Sequence, residues 1–439
     1  MHCCQNRSVP DVDKTSNGPP APGRSRRVAW LVIAVFGALL LLAFALRFAL
    51  QPQRVTAAIL DRVGSALGLE ITAAGVGEYR LRGTPTLVVR NVVAREPGAA
   101  TPLLRADRIF LSLPWATVRA RGNDLTVDRI ELDRPIVDLD ALQHWLARRP
   151  PSKTRVPTLI DGLHVGDGSI VATGWTLTGL TLDLPKLHPG QRVTAHASGR
   201  YNNDSLQMPF ALDVALSQPA SDAALQVAGQ VAIERKTWRI PAQIVLSGML
   251  HIGDGWQLQR AKLAAAARYA SGNTDLPFAL GVAGTLRYAN ANLNLAPAGV
   301  VVHGGGSIPT LNAHGNIALA NALQLQFIGV LPTWPKEWPS LPPPLGQSRS
   351  SVPFELQYVG KTDLSDIAAL QLRRDPARFD GRFHLPAVTT WIDSGSTGSP
   401  LPPLDGRITT PQLEIAGAQL QGVEITLDDP DVQGTPTGP

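Results

Sequence analysis

Cysteine is nearly absent. The 439 residues hold two, Cys3 and Cys4, both ahead of a hydrophobic segment, so the main body has no disulfide framework and no cysteine-based zinc site. A tandem pair at the extreme N-terminus is open to palmitoylation, though an inert pair is the plainer reading. Aromatic residues make up only 5%, which leaves small aliphatics to fill whatever core exists. Runs of basic charge are missing too. Beyond Arg24, Arg26 and Arg27 no Lys/Arg cluster occurs, so the net charge of +5 marks no nucleic-acid surface and no nucleic-acid partner is expected.

The signatures of catalysis are equally sparse. No H-E-x-x-H, G-x-S-x-G, phosphate-binding loop or dinucleotide fingerprint occurs, and "GVGEYR" at Gly75 lacks the third glycine. The nine histidines are scattered, with no pair at metal-ligand spacing. "DGLHVGDGS", Asp161 to Ser169, lacks the closing acid of a calcium loop and reads as a hairpin turn. "VHGGGSIP", His303 to Pro309, opens no helix and reads as a flexible turn. The acids near Asp428 read as solvated charge. The chain therefore reads as a non-enzyme, with no catalytic, cofactor or metal residues assigned.

What is present begins with "VAWLVIAVFGALLLLAFAL", Val28 to Leu46, about 19 uncharged residues and long enough to cross a hydrocarbon core of roughly 30 Å. No small-x-small cleavage site follows, so a retained single-pass helix over 28–50 is expected rather than a signal peptide. The arginines on its N-terminal flank keep residues 1–27 cytosolic and send the rest across the membrane, which in a bacterium means the periplasm. A short amphipathic helix over 51–69 follows Pro52, with Val55, Ile59, Val63 and Leu67 spaced by four and Gly68 at its end.

From Glu70 the period changes to two. "LTVDRIELDRPIVDLD", Leu125 to Asp140, predicts two strands bent at Pro135, and a helix is expected over Leu139 to Arg149 with Asp140 as its cap. Alternation then becomes regular: Leu206, Met208, Phe210, Leu212 and Val214 share one face, as do Ile244 and Leu246, then Phe278, Leu280 and Val282, then Phe354 and Leu356. The 40 glycines and 37 prolines are spread along the chain and bound these runs. The pattern predicts about twenty strands in an antiparallel sheet, apolar on one side. The proline-rich stretches Val330–Gln347 and Gly395–Gly406 read as loops or flaps. Trp334 and Trp338 in the first are either partner-binding aromatics or a plug on the sheet's rim, and the plug is the favoured reading. The main body divides into a segment over 70–345 and a C-terminal segment with tail over 346–439.

With so few helices, the apolar face must be covered in a sandwich, closed in a barrel, or left as an elongated open trough for an apolar ligand. Few large rings and many small residues favour the trough. The twelve residues from Leu206 to Leu356 named above are then the candidates to line this β-groove.

"LRGTPTLVVRNVVA" at Leu81, "ADRIFLSLPW" at Ala106 and "LTVDRIELDRPIVDLD" at Leu125 resemble the N-terminal pattern of the AsmA-like family. "GRITTPQLEIAGAQLQGVEITLDD" at Gly406 resembles its C-terminal repeat. The resemblance implies an inner-membrane anchor, a periplasmic repeating β-groove, and a role in outer-membrane biogenesis or integrity, by moving phospholipid. Membrane lipids, the inner membrane and other envelope proteins are the partners it implies. The alternative is a structural β-sandwich scaffold for envelope assembly or secretion, without lipid transport.

Overall fold

A computed structural model describes residues 60–432, apart from 63, 66, 76, 81, 121–124, 149–155, 254, 339, 395–401 and 416. The expected transmembrane segment 28–50 and most of the 51–69 helix lie outside the described residues. Among those described, no helix is long and apolar enough to cross a membrane.

The chain is mainly β, with 22 of its strands in one sheet. The first part comprises β1 (Glu70–Ala73), β2 (Glu78–Arg80), β3 (Thr86–Arg95), β4 (Leu104–Ser112), β5 (Thr126–Val127), β6 (Arg129–Asp133), β7 (Ile136–Asp138) and β8 (Thr158–Leu159). The middle comprises β9 (Leu163–Ala172), β10 (Trp175–Leu184), β11 (Val193–Asn202), β12 (Gln207–Leu216), β13 (Asp222–Glu234), β14 (Arg239–Ile252), β15 (Trp256–Ser271), β16 (Thr274–Ala289) and β17 (Asn292–His303). The last part comprises β18 (Leu311–Leu319), β19 (Leu323–Leu331), β20 (Val352–Gly360), β21 (Ile367–Arg374), β22 (Ala377–His384), β23 (Leu404–Ile415) and β24 (Ala418–Leu427).

From β9 to β24 each strand pairs antiparallel with the next, as short turns dictate. β19 pairs with β20 across the connection that contains residue 345. The sheet is not wholly antiparallel, however. β9 lies parallel to β6 and β7, because the connection between β7 and β9 is long enough to cross over and carries a helix, Leu139–Ala147. β5 and β8 form a separate parallel pair.

Local chemistry explains several boundaries. β6 and β7 break at Arg134, whose φ is 45°, and Pro135, which has no N–H for the ladder. The helix Leu139–Ala147 is capped by Asp138, whose Oδ1 accepts from the Ala141 N–H at 2.8 Å. Asp140, the cap expected from sequence, accepts instead from the backbone N–H and hydroxyl of Thr173. "DGLHVGDGS" is not a hairpin turn: Leu163 onward is strand β9. Two helices went unforeseen, Trp115–Ala120 and Leu385–Ser394, and β23 starts at Leu404 inside the second proline-rich stretch.

Packing differs along the sheet. Near the C-terminal end, Tyr358, Ala368, Phe383 and Leu404 form one buried cluster, with Val388 of the helix Leu385–Ser394 packed against it. Leu331, Val352 and Phe354 form a second, against Trp334. Leu345, Ala377 and Leu413 form a third, against Leu341. The connection from β19 to β20 thus folds back over its neighbours, and Glu414 donates its backbone N–H to the Pro343 carbonyl at 2.8 Å. Trp338 donates its Nε1–H to the Ser307 carbonyl at 2.8 Å and meets Trp334 edge-on at 5.1 Å. Both tryptophans pack on their own fold, as the plug reading expected.

Candidate functional site: an apolar sheet face and its rim

Strand registry turns the alternating sequence into continuous rows. One row takes Ala195, Val214, Val227, Leu246, Leu263, Val282 and Val300 from β11 to β17. It continues through Ala313, Gly329, Phe354, Leu372, Phe379, Ile408 and Ile425 to β24. Every position is apolar or glycine. Two parallel rows flank it on the same face. Leu212, Gly229, Ile244, Ala265, Leu280 and Val302 make one, and Phe210, Val231, Ala242, Ala267 and Phe278 make the next.

The ten candidates from Phe210 to Leu356 therefore sit on one face, in adjacent rows. Met208, the register partner of Tyr201, and Leu206 before β12 extend that face toward its edge. All twelve are half-buried except Phe354, which is buried in the second cluster. Over β12–β16 the apolar face is thus shielded mainly by its own side chains.

The hollows border these rows and the opposite face alike. One of about 810 Å³ is lined by Pro209, Ala211, Gln230, Gln243, Pro277 and His303, which alternate with the Phe210 row and so belong to the opposite face; the Phe210 row itself also borders it. Another of about 730 Å³ is lined by Asp183, Thr194, His196, Asp213, Gln226 and Ser247, again with the intervening apolar row at its border.

That opposite face carries an ionic row that the scattered histidines did not announce. Glu131, His164, Asp183, His196 and Asp213 are successive register partners from β6 across β9 to β12. His164 Nδ1 lies 2.8 Å from Asp183 Oδ1, and His196 Nδ1 lies 2.9 Å from Asp213 Oδ1. A further cross-strand pair, His251 with Asp222, lies at 2.5 Å, and this contact holds the Asp222 carboxyl below its ordinary value. Among the described residues no group of three His, Cys, Asp or Glu side chains is placed to hold a metal ion.

At one edge, the apolar face ends in rings. Trp175 stacks on Tyr201 at 5.5 Å, and Trp238 lies 6.2 Å from Tyr269. The Arg235 guanidinium sits over the Trp238 ring at 5.5 Å. Arg235 also acts at a distance: the Asp363 carboxyl is held below its ordinary value chiefly by hydrogen bonds from Ser365, with Lys361 and Arg235 adding to the effect. The β13–β14 turn and the β20–β21 turn, far apart in sequence, therefore share one electrostatic neighbourhood.

No family model, no curated protein and no solved structure matches this chain.

Proposed function

We propose that this chain is a membrane-anchored envelope protein that binds or conducts phospholipid along its apolar sheet face, in the service of outer-membrane biogenesis or integrity. The observation that carries this reading is the apolar row unbroken from β11 to β24, whose members over β12–β16 stay half-buried. A dry core buries such residues fully; a lining for acyl chains leaves them accessible. The sheet curled as an open groove, the anchor at 28–50, the inner-membrane location with a periplasmic body, and the likeness to the AsmA-like family all belong to this proposal. It assigns no catalytic step, and Leu206, Met208, Phe210, Leu212, Val214, Ile244, Leu246, Phe278, Leu280, Val282, Phe354 and Leu356 are its acyl-chain contacts.

The test is mass spectrometry of the lipids that co-purify with the full chain after detergent wash. Phospholipid at one or more per chain, lost in Leu212→Asp but kept in Gln243→Asp on the opposite face, is the expected result. Equal loss from both changes, or a stable lipid-free protein, sinks the reading. A lipid-free protein would favour the scaffold alternative, which the three filled clusters around Tyr358, Val352 and Leu345 already support for the C-terminal strands.

A further inference from the structure

We infer that the β13–β14 turn is a binding site for the anionic headgroup of an amphiphile whose chains lie on the apolar face; the inference rests on the lipid-binding reading above and specifies its substrate. A hollow of about 570 Å³ opens at this turn, and its lining includes Arg235, Lys236, Trp238 and Arg239. Its lining carboxylates are Glu234, the register partner of Arg239, and Asp204, and Asp363 of the β20–β21 turn also feels the charge of Arg235. None of the three cations makes an ion pair among the described residues.

Arg235 is the informative member. Its Nε is buried and has no hydrogen-bond partner. A buried guanidinium N–H left unmade carries an uncompensated desolvation cost, so folded proteins seldom keep one without a use. The side chain is also held in place, by the Trp238 ring beneath it and by the Arg235 N–H to Trp238 carbonyl hydrogen bond at 2.9 Å that closes the turn. A positioned guanidinium with an unmet Nε–H, beside a second cation, is a receptor for phosphate, sulfate or carboxylate.

The surroundings specify an amphiphile rather than a free anion. Leu206 lines the same hollow, and by strand alternation Arg235 and Trp238 point to the side of the sheet that carries Ile233, Ile240 and the apolar rows. Moving from the edge inward, a ligand meets cations, then Trp238 and Tyr269, then aliphatic side chains. That is the order of polarity along a lipid, with aromatic rings at the boundary where one end is wet and the other apolar.

The experiment uses the full chain in dodecyl maltoside, equilibrated with mixed micelles carrying equal amounts of dioleoyl phosphatidylglycerol and dioleoylglycerol, then re-isolated and extracted. Inorganic phosphate alone, at millimolar concentration, is the parallel probe. The expected result is enrichment of the anionic lipid by about tenfold, falling toward unity in Arg235→Gln with total bound lipid unchanged, and intermediate in Arg235→Lys. Thermal melting of each variant separates this from misfolding, and Lys236→Gln, in the exposed turn, gives a second decrease. Lipid bound without headgroup preference, or a preference that Arg235→Gln and Lys236→Gln leave intact, overturns the headgroup site while the apolar face stands. Phosphate bound with no enrichment of the anionic lipid overturns the amphiphile. Absence of both lipids removes the apolar-face reading and this inference with it.

Discussion

Asp183 is the register partner of His196 on one side while its Oδ1 lies 2.8 Å from His164 Nδ1 on the other, so two imidazole–carboxylate pairs, His164–Asp183 and His196–Asp213, lie side by side in one register row across four strands. Cross-strand charge pairs contribute about 0.2–1 kcal/mol each, and exposed ones fall at the low end. Replacing His164 or His196 singly by Gln is expected to cost an amount in that range. The double replacement should cost more than the sum, because Asp183 then keeps neither neighbour. Urea midpoints of the two single variants and the double variant measure this coupling, and strict additivity would show that the row acts as separate pairs.

Asp222 predicts an acid-side dependence. Its carboxyl is held below its ordinary value by His251, with the Ser221 hydroxyl 3.3 Å away adding a smaller contribution. A carboxyl whose folded value is depressed stabilises the fold above its unfolded value, about 3.9, and loses that contribution as pH falls through the lower folded value. The melting-temperature difference between wild type and Asp222→Asn should therefore be present at pH 6, begin to shrink near pH 4, and vanish once the pH is below the depressed folded value. A difference that persists unchanged in acid would assign the effect to packing instead.

Much of this architecture was legible because strand alternation is a local property. Phe210, Leu212 and Val214 declare a common face by spacing alone, as do Phe278, Leu280 and Val282. What spacing does not declare is registry: that Val214, Leu246 and Val282 form one row, or that His164 meets Asp183, depends on turn lengths and bulges between distant segments. The parallel docking of β9 on β6 was hidden for the same reason, since nothing local distinguishes a crossover from a hairpin. Nothing in the spacing singles out Arg235 and Lys236, and only the fold sets the Arg235 guanidinium over the Trp238 ring.

Tyr358 predicts an alkaline counterpart. It is buried, its hydroxyl donates to the Lys361 carbonyl at 2.6 Å, and burial raises its phenol above its ordinary value. Tyr358→Phe leaves that carbonyl and the Asp366 N–H, 3.4 Å from the hydroxyl, without this partner, at an expected cost of about 0.5–1.5 kcal/mol. A group whose folded value is raised stabilises fully below its unfolded value and stops doing so as pH rises through the folded one. The gap between wild type and Tyr358→Phe should then be constant from pH 6 to 9 and close above about pH 10. Denaturant midpoints across that range are the measurement, and a gap that widens in alkali would contradict it.

Two strand glycines, Gly329 on the apolar face and Gly281 on the opposite one, give the sharpest contrast. Gly329 is the register partner of Phe354, and a Cβ at Gly329 would come within 2.5 Å of the Phe354 ring and of the Asn312 carbonyl. The ring lies over the space that the missing side chain leaves, within the cluster of Leu331, Val352 and Phe354. Gly281 sits in a similarly central strand, yet a Cβ there would meet nothing nearer than Val301 at 3.9 Å. Gly329→Ala must displace a buried ring and a backbone carbonyl, at a cost typical of overpacking, about 1–3 kcal/mol. Gly281→Ala meets only ordinary contact and removes backbone freedom from the unfolded chain, so it should be neutral or stabilise by up to about 1 kcal/mol. Thermal melts of the two variants side by side decide the matter. If Gly329→Ala is tolerated as well as Gly281→Ala, the Phe354 ring is not fixed over the space at Gly329, and the tight packing of the cluster of Leu331, Val352 and Phe354 fails with it.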